Sequence, residues 1–282
     1  MFLHLQGYER PGDLVTALSM LRRPGARLLA GGTAAVGPVD RETATLVDLS
    51  GLPLQFIQSD EGAVRVGAMT PLEQLLRAPE LFLAGGGVLC RAVERTGPPT
   101  MLVRATLGGA LARPARAGEL IAALLVLDAT VGLVRLHDGG VLREEVPLAD
   151  FLGQPLAGAL IESVRIPAAP VAAGMERVAR TPRDLPVVAV AAALRVVDGR
   201  CVGVRLAATG LKAGLPVRLR AAESALEGAP PSPEAVELAA LVAQAEVEPP
   251  GDFRGGSDYR RHLAGVLTRR ALAAALWPDG RM

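Results

Sequence analysis

The stretch Leu28-Leu29-Ala30-Gly31-Gly32-Thr33 joins two apolar strand formers directly to a glycine pair and a hydroxyl residue. Glycine reaches positive φ without the steric cost of a Cβ atom, so successive N–H groups there can turn inward and form an anion-binding nest. A tight turn after a buried strand is the alternative interpretation of a single Gly-Gly pair. The stretch therefore predicts either an ordinary turn or a close approach of the backbone to an anionic ligand.

A second segment of the same kind favours the ligand. Ala105-Thr106-Leu107-Gly108-Gly109-Ala110-Leu111 again places a threonine and two glycines among small apolar residues. We interpret it as a second loop, and two such loops could hold the two ends of one phosphate-bearing cofactor. Residues 119–127, which follow it, are apolar nearly all round and predict a buried helix. The N-terminus of that helix opens beside the second loop, and a helix N-terminus favours a phosphate or another anion.

Composition limits the class of protein. The chain has 282 residues, enough for two domains that each bury a core. A formal net charge of +1 with 50% hydrophobic residues argues against a nucleic-acid-binding surface. The two cysteines, Cys90 and Cys201, lie far apart and outside any CxxC, so neither a disulfide framework nor a metal cluster is expected. Lys212 is the only lysine and asparagine is absent, a bias typical of GC-rich coding.

The N-terminus lacks a basic region followed by a long apolar run, which a signal peptide would have. No apolar run escapes charge for the ~18 residues that a membrane span needs. We therefore expect no membrane span and a cytoplasmic location.

Periodicity outlines the first part of the chain. It predicts a helix over residues 11–23, with strands over residues 27–30 and 45–49 that complete a small α/β unit. A strand over residues 63–68 ends at Thr70-Pro71-Leu72-Glu73, which has the pattern of a capping box with proline at the first helical position. The remaining predicted elements of this part are a helix over residues 79–96 in spite of its three glycines, a hairpin formed by residues 130–136 and 141–146, and a strand over residues 160–166.

Residues 167–170, Pro-Ala-Ala-Pro, cannot build a strand ladder and are the predicted domain boundary. Beyond them, strands over residues 185–197 and 201–208 are joined by Asp198-Gly199, a hairpin turn signal. Helices are expected over residues 218–226 and 233–245, with a last helix capped by Ser257 and running to residue 276. The four arginines of the last helix are interpreted as a solvated face: Arg260, Arg261, Arg269 and Arg270.

Several well-known catalytic motifs are absent from the sequence. No GxxxxGK[ST], GxGxxG, HExxH or GxSxG occurs in it. The three histidines, at positions 4, 137 and 262, are scattered. We therefore expect no catalytic side chain and no metal ligand of the chain's own, and chemistry carried by a cofactor.

Taken together, these segments resemble one family over nearly the whole chain, the flavoprotein (medium) subunits of molybdenum hydroxylases such as carbon monoxide and xanthine dehydrogenase. The matching stretches, in chain order, are Leu29-Ala30-Gly31-Gly32-Thr33, Leu46-Val47-Asp48-Leu49, Ala105-Thr106-Leu107-Gly108-Gly109 with Leu111-Ala112, residues 124–129, and Tyr259-Arg260-Arg261-His262-Leu263 with Arg270-Ala271-Leu272.

The resemblance implies an α+β protein. A PCMH-type FAD-binding domain would cover residues 1–166, with subdomains of about 1–52 and 53–166, and a smaller domain of antiparallel sheet and helices would cover residues 171–282. Both glycine loops would wrap the FAD pyrophosphate. The positions that the resemblance assigns to cofactor binding are Leu29, Ala30, Gly31, Gly32, Thr33, Ala34, Thr106, Gly108, Gly109, Leu111 and Glu119.

The resemblance also implies an oxidoreductase subunit that takes electrons from iron–sulfur clusters in a small partner subunit and passes them to an external acceptor. A large partner subunit would carry the molybdenum cofactor and the substrate. The complex is expected to be a dimer of heterotrimers, with no nucleic acid involved.

The sequence departs from the family pattern at positions that surround the glycines. Ala34 stands in place of an acidic residue, Ala110 in place of an asparagine, and Glu119 in place of an aspartate. Residues 100–103, Thr-Met-Leu-Val, replace Gln-Ile-Arg-Asn. A working FAD subunit is one hypothesis, and a flavin-free structural or assembly subunit with a degenerate site is the other.

Overall fold

The structure is a computed structural model that describes residues 5–33, 43–85, 87–156, 158–182 and 184–279. The strands in these ranges are β1 (Gly7–Glu9), β2 (Ala26–Leu29), β3 (Thr45–Asp48), β4 (Ile57–Asp60), β5 (Ala63–Gly67), β6 (Thr130–His137), β7 (Gly140–Pro147), β8 (Ala159–Pro167), β9 (Ala172–Val178), β10 (Val188–Val197), β11 (Arg200–Thr209) and β12 (Val217–Arg218). The α-helices are α1 (Leu14–Leu21), α2 (Leu72–Leu75), α3 (Pro79–Ala84), α4 (Val88–Thr96), α5 (Pro99–Leu102), α6 (Leu107–Leu111), α7 (Gly118–Val126), α8 (Leu148–Phe151), α9 (Arg220–Leu226), α10 (Pro233–Ala245) and α11 (Ser257–Leu276). Short 3₁₀ turns cover Leu49–Gly51 and Pro114–Arg116.

The N-terminal unit is a small parallel sheet in the order β1-β3-β2. Helix α1 begins after Asp13, whose side chain accepts a hydrogen bond from the N–H of Thr16. Ala17 and Leu18 of this helix are buried against Leu49 and Leu52. The α/β unit predicted from periodicity is therefore present, and its strands β2 and β3 point their carboxyl ends in the same direction.

The second sheet is antiparallel, in the order β4-β5-β8-β6-β7. Its hairpin β6–β7 turns at Asp138 and Gly139, which have φ values of 46° and 76°. Positive φ at both central residues matches the right-handed twist of paired strands, which is why Asp-Gly marks such turns. The predicted hairpin is confirmed; β6 is one residue longer than expected and β7 two residues longer.

The third sheet is also antiparallel, in the order β12-β11-β10-β9. Its central hairpin turns at Asp198 and Gly199, again with positive φ at both residues. One face of the sheet buries Val190, Ala192 and Leu194 of β10 in a core shared with α9, α10 and α11. Mixed helices and antiparallel sheets in two domains confirm the predicted α+β class.

The other face of the third sheet packs against the first domain. Successive side chains of a strand point to opposite faces of the sheet, so Ala191 and Ala193 lie on the face opposite Val190 and Ala192. They belong to the hydrophobic cluster that contains α7. Residues 188–194 are consequently buried without a break. A sheet buried on both faces lacks the solvated surface of an independently folding domain, so the third sheet depends on α7. The boundary at residues 167–170 and the domain limits derived from it stay predictions.

Three local predictions were wrong. The helix expected over residues 79–96 is two helices, α3 and α4, because Gly87 adopts a φ of 77° between them. Thr70 does not cap α2; its hydroxyl donates to the carbonyl of Phe56 and accepts from the Phe56 N–H. Ser257 is the first residue of α11 and Gly256 occupies the cap position. In each case a tertiary contact or a backbone angle outweighed the local pattern.

Within the described ranges, no helix combines the length and apolarity that crossing a membrane requires.

Gly174 offers a test of how closely β9 lies against α11. A Cβ atom added there would lie 2.2 Å from the carbonyl oxygen of Ala271, so Gly174→Val must push the strand and helix apart. We expect a loss of about 1–3 kcal/mol in the free energy of unfolding, as for overpacked cores. Gly140→Ala is the control, since its added Cβ would come no closer than 3.7 Å to the carbonyl oxygen of His137. Equal urea midpoints for the two variants would contradict this packing.

Candidate functional site

The first glycine segment leaves the carboxyl end of the parallel sheet, where Leu29 of β2 pairs with Asp48 of β3. A Cβ atom at Gly31 would lie 1.6 Å from the carbonyl oxygen of Arg104, so only glycine fits at this position. Gly32 has a φ of 73° and open space around its Cα. The first segment therefore touches the chain immediately before the second one, and the structure brings the two predicted segments together.

The N–H groups of the first segment are candidate donors to a ligand. Gly31, Gly32 and Thr33 are partly exposed. Among the residues that the structure describes, their N–H groups form no hydrogen bond. Donors on successive residues at a glycine turn are the chemistry that binds phosphate oxygens.

The second segment is not the open loop that we expected. Thr106 is the N-cap of α6, and its hydroxyl oxygen accepts from the N–H of Gly109 at 3.2 Å. The N–H groups of Leu107 and Gly108 donate to the carbonyls of Thr70 and Ala68 at 3.0 and 2.8 Å. These N–H groups are therefore already hydrogen-bonded within the protein and are not free to bind a ligand.

Gly108 has a packing role. It is buried, and an added Cβ would lie 2.8 Å from the Cβ of Ala68. Leu111 is also buried in the core of the first domain. Leu29 and Ala30 are partly exposed at the strand end, and Ala34 lies outside the described residues.

Asp48 pairs with Leu29 at the start of the first glycine segment and was not among the predicted site positions, although its stretch was part of the resemblance. Its carboxylate accepts hydrogen bonds from the Tyr8 hydroxyl and from the N–H and hydroxyl of Ser50. Burial alone would raise the pKa of this carboxyl, but the three hydrogen bonds outweigh burial and hold the pKa below its usual value. An ionised Asp48 thus fixes the end of β3 next to the first glycine segment.

Glu119, on the first turn of α7, is 4% exposed. Its carboxylate lies 3.0 Å from Arg177 of β9 and 3.8 Å from Arg95 of α4. Burial raises the pKa of this carboxyl, and the two arginines act in the opposite direction. The predicted flavin contact is therefore a side chain that links the two domains by an ion pair.

A cleft of about 300 Å³ lies between the domains. Ala115 and Gly118 form its wall on the side of the first domain. The wall on the other side comes from three segments of the second domain: Leu185 and Pro186; residues 209–210 and 212–215; and residues 250–252 with Arg254 and Arg260. Its volume is at the lower end of the range of about 300–1,000 Å³ that is typical of small-molecule sites.

Arg260 holds these walls together, and the expectation that it lies on a solvated face was wrong. Its side chain is buried and its guanidinium donates to the carbonyls of Val187, Gly210 and Gly255. It also pairs with Asp252. The buried face of α11 carries Arg260 inward together with Leu263 and Leu267, so a polar anchor occupies a position that the charge pattern assigned to solvent.

The Asp252 carboxyl completes this anchor. Burial alone would raise its pKa, but hydrogen bonds from Arg254 and Arg260 outweigh burial and hold the pKa far below its usual value. The Asp252 carboxyl is therefore ionised in the folded protein near neutral pH. Its charge compensates the buried guanidinium of Arg260.

Comparison with known families matches two models along the chain. Residues 3–169 match the FAD binding domain in molybdopterin dehydrogenase, and residues 174–275 match the CO dehydrogenase flavoprotein C-terminal domain. The predicted family is confirmed, and the first description names FAD, the predicted cofactor.

Individual relatives agree over nearly the full length. The carbon monoxide dehydrogenase medium chain of Afipia carboxidovorans is 29% identical, with 95% of this chain and 96% of the relative covered. A solved carbon monoxide dehydrogenase from Hydrogenophaga pseudoflava superposes with a TM-score of 0.86 at 30% identity, over 96% of this chain and 97% of that one. Quinoline 2-oxidoreductase from Pseudomonas putida 86 gives a TM-score of 0.87 at 26% identity, with both chains fully covered.

Asp252 generates a pH-dependent prediction. A carboxyl whose pKa is lowered by folding stabilises the protein above its unfolded pKa, near 3.8, and this stabilisation is lost as the pH falls through the folded value. Asp252→Asn should cost about 1 kcal/mol at pH 7, since it removes the charge that pairs with Arg254 and Arg260, and solvent screens this exposed carboxylate. The difference from the unmodified protein should shrink as the pH falls from about 4 toward 2.

Urea unfolding at neutral and acid pH measures this difference. Asp60→Asn is the control, because Asp60 is exposed on β4 and forms no described hydrogen bond with its side chain. A cost for Asp252→Asn that stays constant from pH 7 to the acid range would show that the ion pairs of Asp252 contribute nothing to stability.

Proposed function

We propose, from the premise that this chain belongs to the FAD-binding subunits of the molybdopterin dehydrogenases, that it holds one FAD and passes electrons from a partner's iron–sulfur clusters to an external acceptor. One observation carries the proposal. Gly31 lies against Arg104 and Ala105, so the first glycine segment, whose N–H groups have no hydrogen-bond partner among the described residues, contacts the start of the second.

The first glycine segment fits the FAD pyrophosphate. Gly31, Gly32 and Thr33 offer backbone donors, and Thr33 adds a hydroxyl. Gly32 leaves open space where a side chain would stand, with no described atom closer than 3.9 Å to an added Cβ. Gly109 and Ala110, which are partly exposed at the start of α6, would border the same group.

The cleft between the domains fits the flavin ring system. Its wall residue Ala115 is six residues after Gly109, so a fully extended chain would separate the two by at most about 20 Å. We place the ring end of the dinucleotide in this cleft because the cleft wall begins shortly after the second glycine segment, whose Ala105 lies against Gly31. Residues 185–186 and 209–215 would orient the ring and exclude water from it.

The bound flavin would supply the electron-transfer chemistry. The chain's residues contribute binding and orientation. Cys201 is buried in the core of the second domain and Cys90 lies on α4, and the described residues hold no group of three or more Cys, His, Asp or Glu side chains that could bind a metal. The iron–sulfur clusters and the molybdenum cofactor are therefore assigned to partner subunits.

A flavin-free structural subunit is the second candidate. Two observations favour it: the N–H groups of the second segment are paired within the protein, and Glu119 is engaged by Arg177 and Arg95. These two observations leave the N–H groups of the first segment as the main hydrogen-bond donors available to FAD. A titration with FAD separates the two candidates.

Gly32 provides that titration with a matched control. Gly32→Val places a branched side chain where the pyrophosphate is proposed to lie, so we expect FAD affinity to fall by about 100-fold or more, equivalent to about 2.7 kcal/mol. Gly62 has nearly the same φ, 77° against 73°, and nothing within 4 Å of an added Cβ. Gly62→Val should therefore suffer similar backbone strain and keep its affinity for FAD.

Isothermal titration of FAD, with the thermal midpoint of each variant, distinguishes the outcomes. Equal FAD affinities for Gly32→Val and Gly62→Val would show that the pyrophosphate does not bind at residues 31–33. If the unmodified chain shows no saturable binding of FAD, the flavin-free structural subunit becomes the supported function.

The chain should also be found in a larger assembly. Tagged protein isolated from its native cell should carry a small subunit with iron–sulfur clusters and a large molybdenum subunit. Native mass spectrometry and metal analysis test this composition, and the mass would show whether the complex is a dimer of heterotrimers. Recovery of a monomer with no stoichiometric iron or molybdenum would contradict the proposal.

A further inference from the structure

Lys212, the sole lysine among 30 basic residues, lies in the wall of the cleft between the domains. It stands in the turn that joins β11 to β12, and its side chain is exposed. Lysine differs from arginine in presenting a compact point charge on a flexible stem rather than a planar fork. A chain that otherwise uses arginine thus places its one ammonium group at the proposed ring site.

The charge of the cleft is not balanced around Lys212. Asp252 is the acidic side chain of the lining, and it is engaged by Arg254 and Arg260. In the part of the chain that the structure describes, no carboxylate forms an ion pair with Lys212. Of the charged groups that line the cleft, Lys212 is the one left to interact with a ligand.

We infer that Lys212 is the charge partner of an anionic ring in the cleft, and that it favours the reduced, negatively charged form of the flavin over the neutral oxidised form. This inference rests on the proposed function. Full reduction of the ring takes up two electrons, and binding of one proton then leaves one negative charge. A positive group nearby lowers the free energy of that charged form and leaves the neutral form nearly unaffected.

The electrons balance without any further reactant. Under the proposed function the two electrons come from the partner's clusters, and the proton comes from water. In the experiment dithionite supplies the electrons to the full-length chain loaded with FAD.

The test compares Lys212→Met, Lys212→Arg and Arg270→Met. Methionine keeps much of the length and removes the charge, and arginine restores the charge. Arg270 is exposed on α11, ten residues beyond Arg260 and about 15 Å along the helix from it. Arg270→Met therefore removes the same charge away from the cleft. The readouts are the flavin midpoint potential, from reduction against a reference dye, and the affinity for oxidised FAD.

We expect Lys212→Met to lose at least about tenfold in its preference for reduced flavin, a shift of 29.6 mV for a two-electron couple. Its affinity for oxidised FAD should change by less than about threefold, because the neutral ring carries no charge for Lys212 to attract. Lys212→Arg and Arg270→Met should keep the potential of the unmodified chain.

Equal potentials for Lys212→Met and Arg270→Met, with FAD bound in both, would overturn this role of Lys212 and leave the proposed function standing. A loss of oxidised-FAD affinity in Lys212→Met with an unchanged midpoint potential would also overturn it, since Lys212 would then bind both forms alike. Failure of the unmodified chain to bind FAD would overturn the inference together with the proposed function.

Discussion

The burial of α7 is the interaction on which the rest of the structure depends. All nine residues from Gly118 to Val126 are buried, and the helix packs against the third sheet as well as the first domain. Hydrophobic burial of this size favours folding only if both neighbouring layers are present. The two domains are therefore held in one arrangement by a helix that belongs to the first and supports the second.

Charged groups at both ends of α7 complement this apolar contact. At its start Glu119 pairs with Arg177 of β9, and beyond its end Asp128 accepts hydrogen bonds from Arg205 and Arg218 of the second domain. Gly118 allows a close approach of α7 to β11, because an added Cβ would lie 2.3 Å from the hydroxyl of Thr209. The cleft lies beside this contact, so its shape follows from how the domains are joined.

The sequence predicted the first glycine segment better than the second for a physical reason. A glycine pair directly after a strand requires unusual backbone geometry, which Gly32 has at a φ of 73°. Thr106-Leu107-Gly108-Gly109 is compatible with a loop or with a capped helical turn, and the carbonyls of Ala68 and Thr70 decide between them. Those acceptors lie nearly 40 residues earlier in the chain, where no local pattern indicates them.

By itself the sequence determined most of the longer helices and strands and the two Asp-Gly hairpins, because periodicity and turn chemistry are local properties. The α+β class and the family followed from the resemblance of its motifs to a known family. Only the tertiary structure decided which polar groups are engaged. The charge pattern of α11 predicted a solvated Arg260, but its side chain is buried and donates to three carbonyls. Glu119 forms an ion pair with an arginine 58 positions later in the chain. Hydrogen bonds and ion pairs between distant segments depend on how layers pack, and burial makes those pairings obligatory.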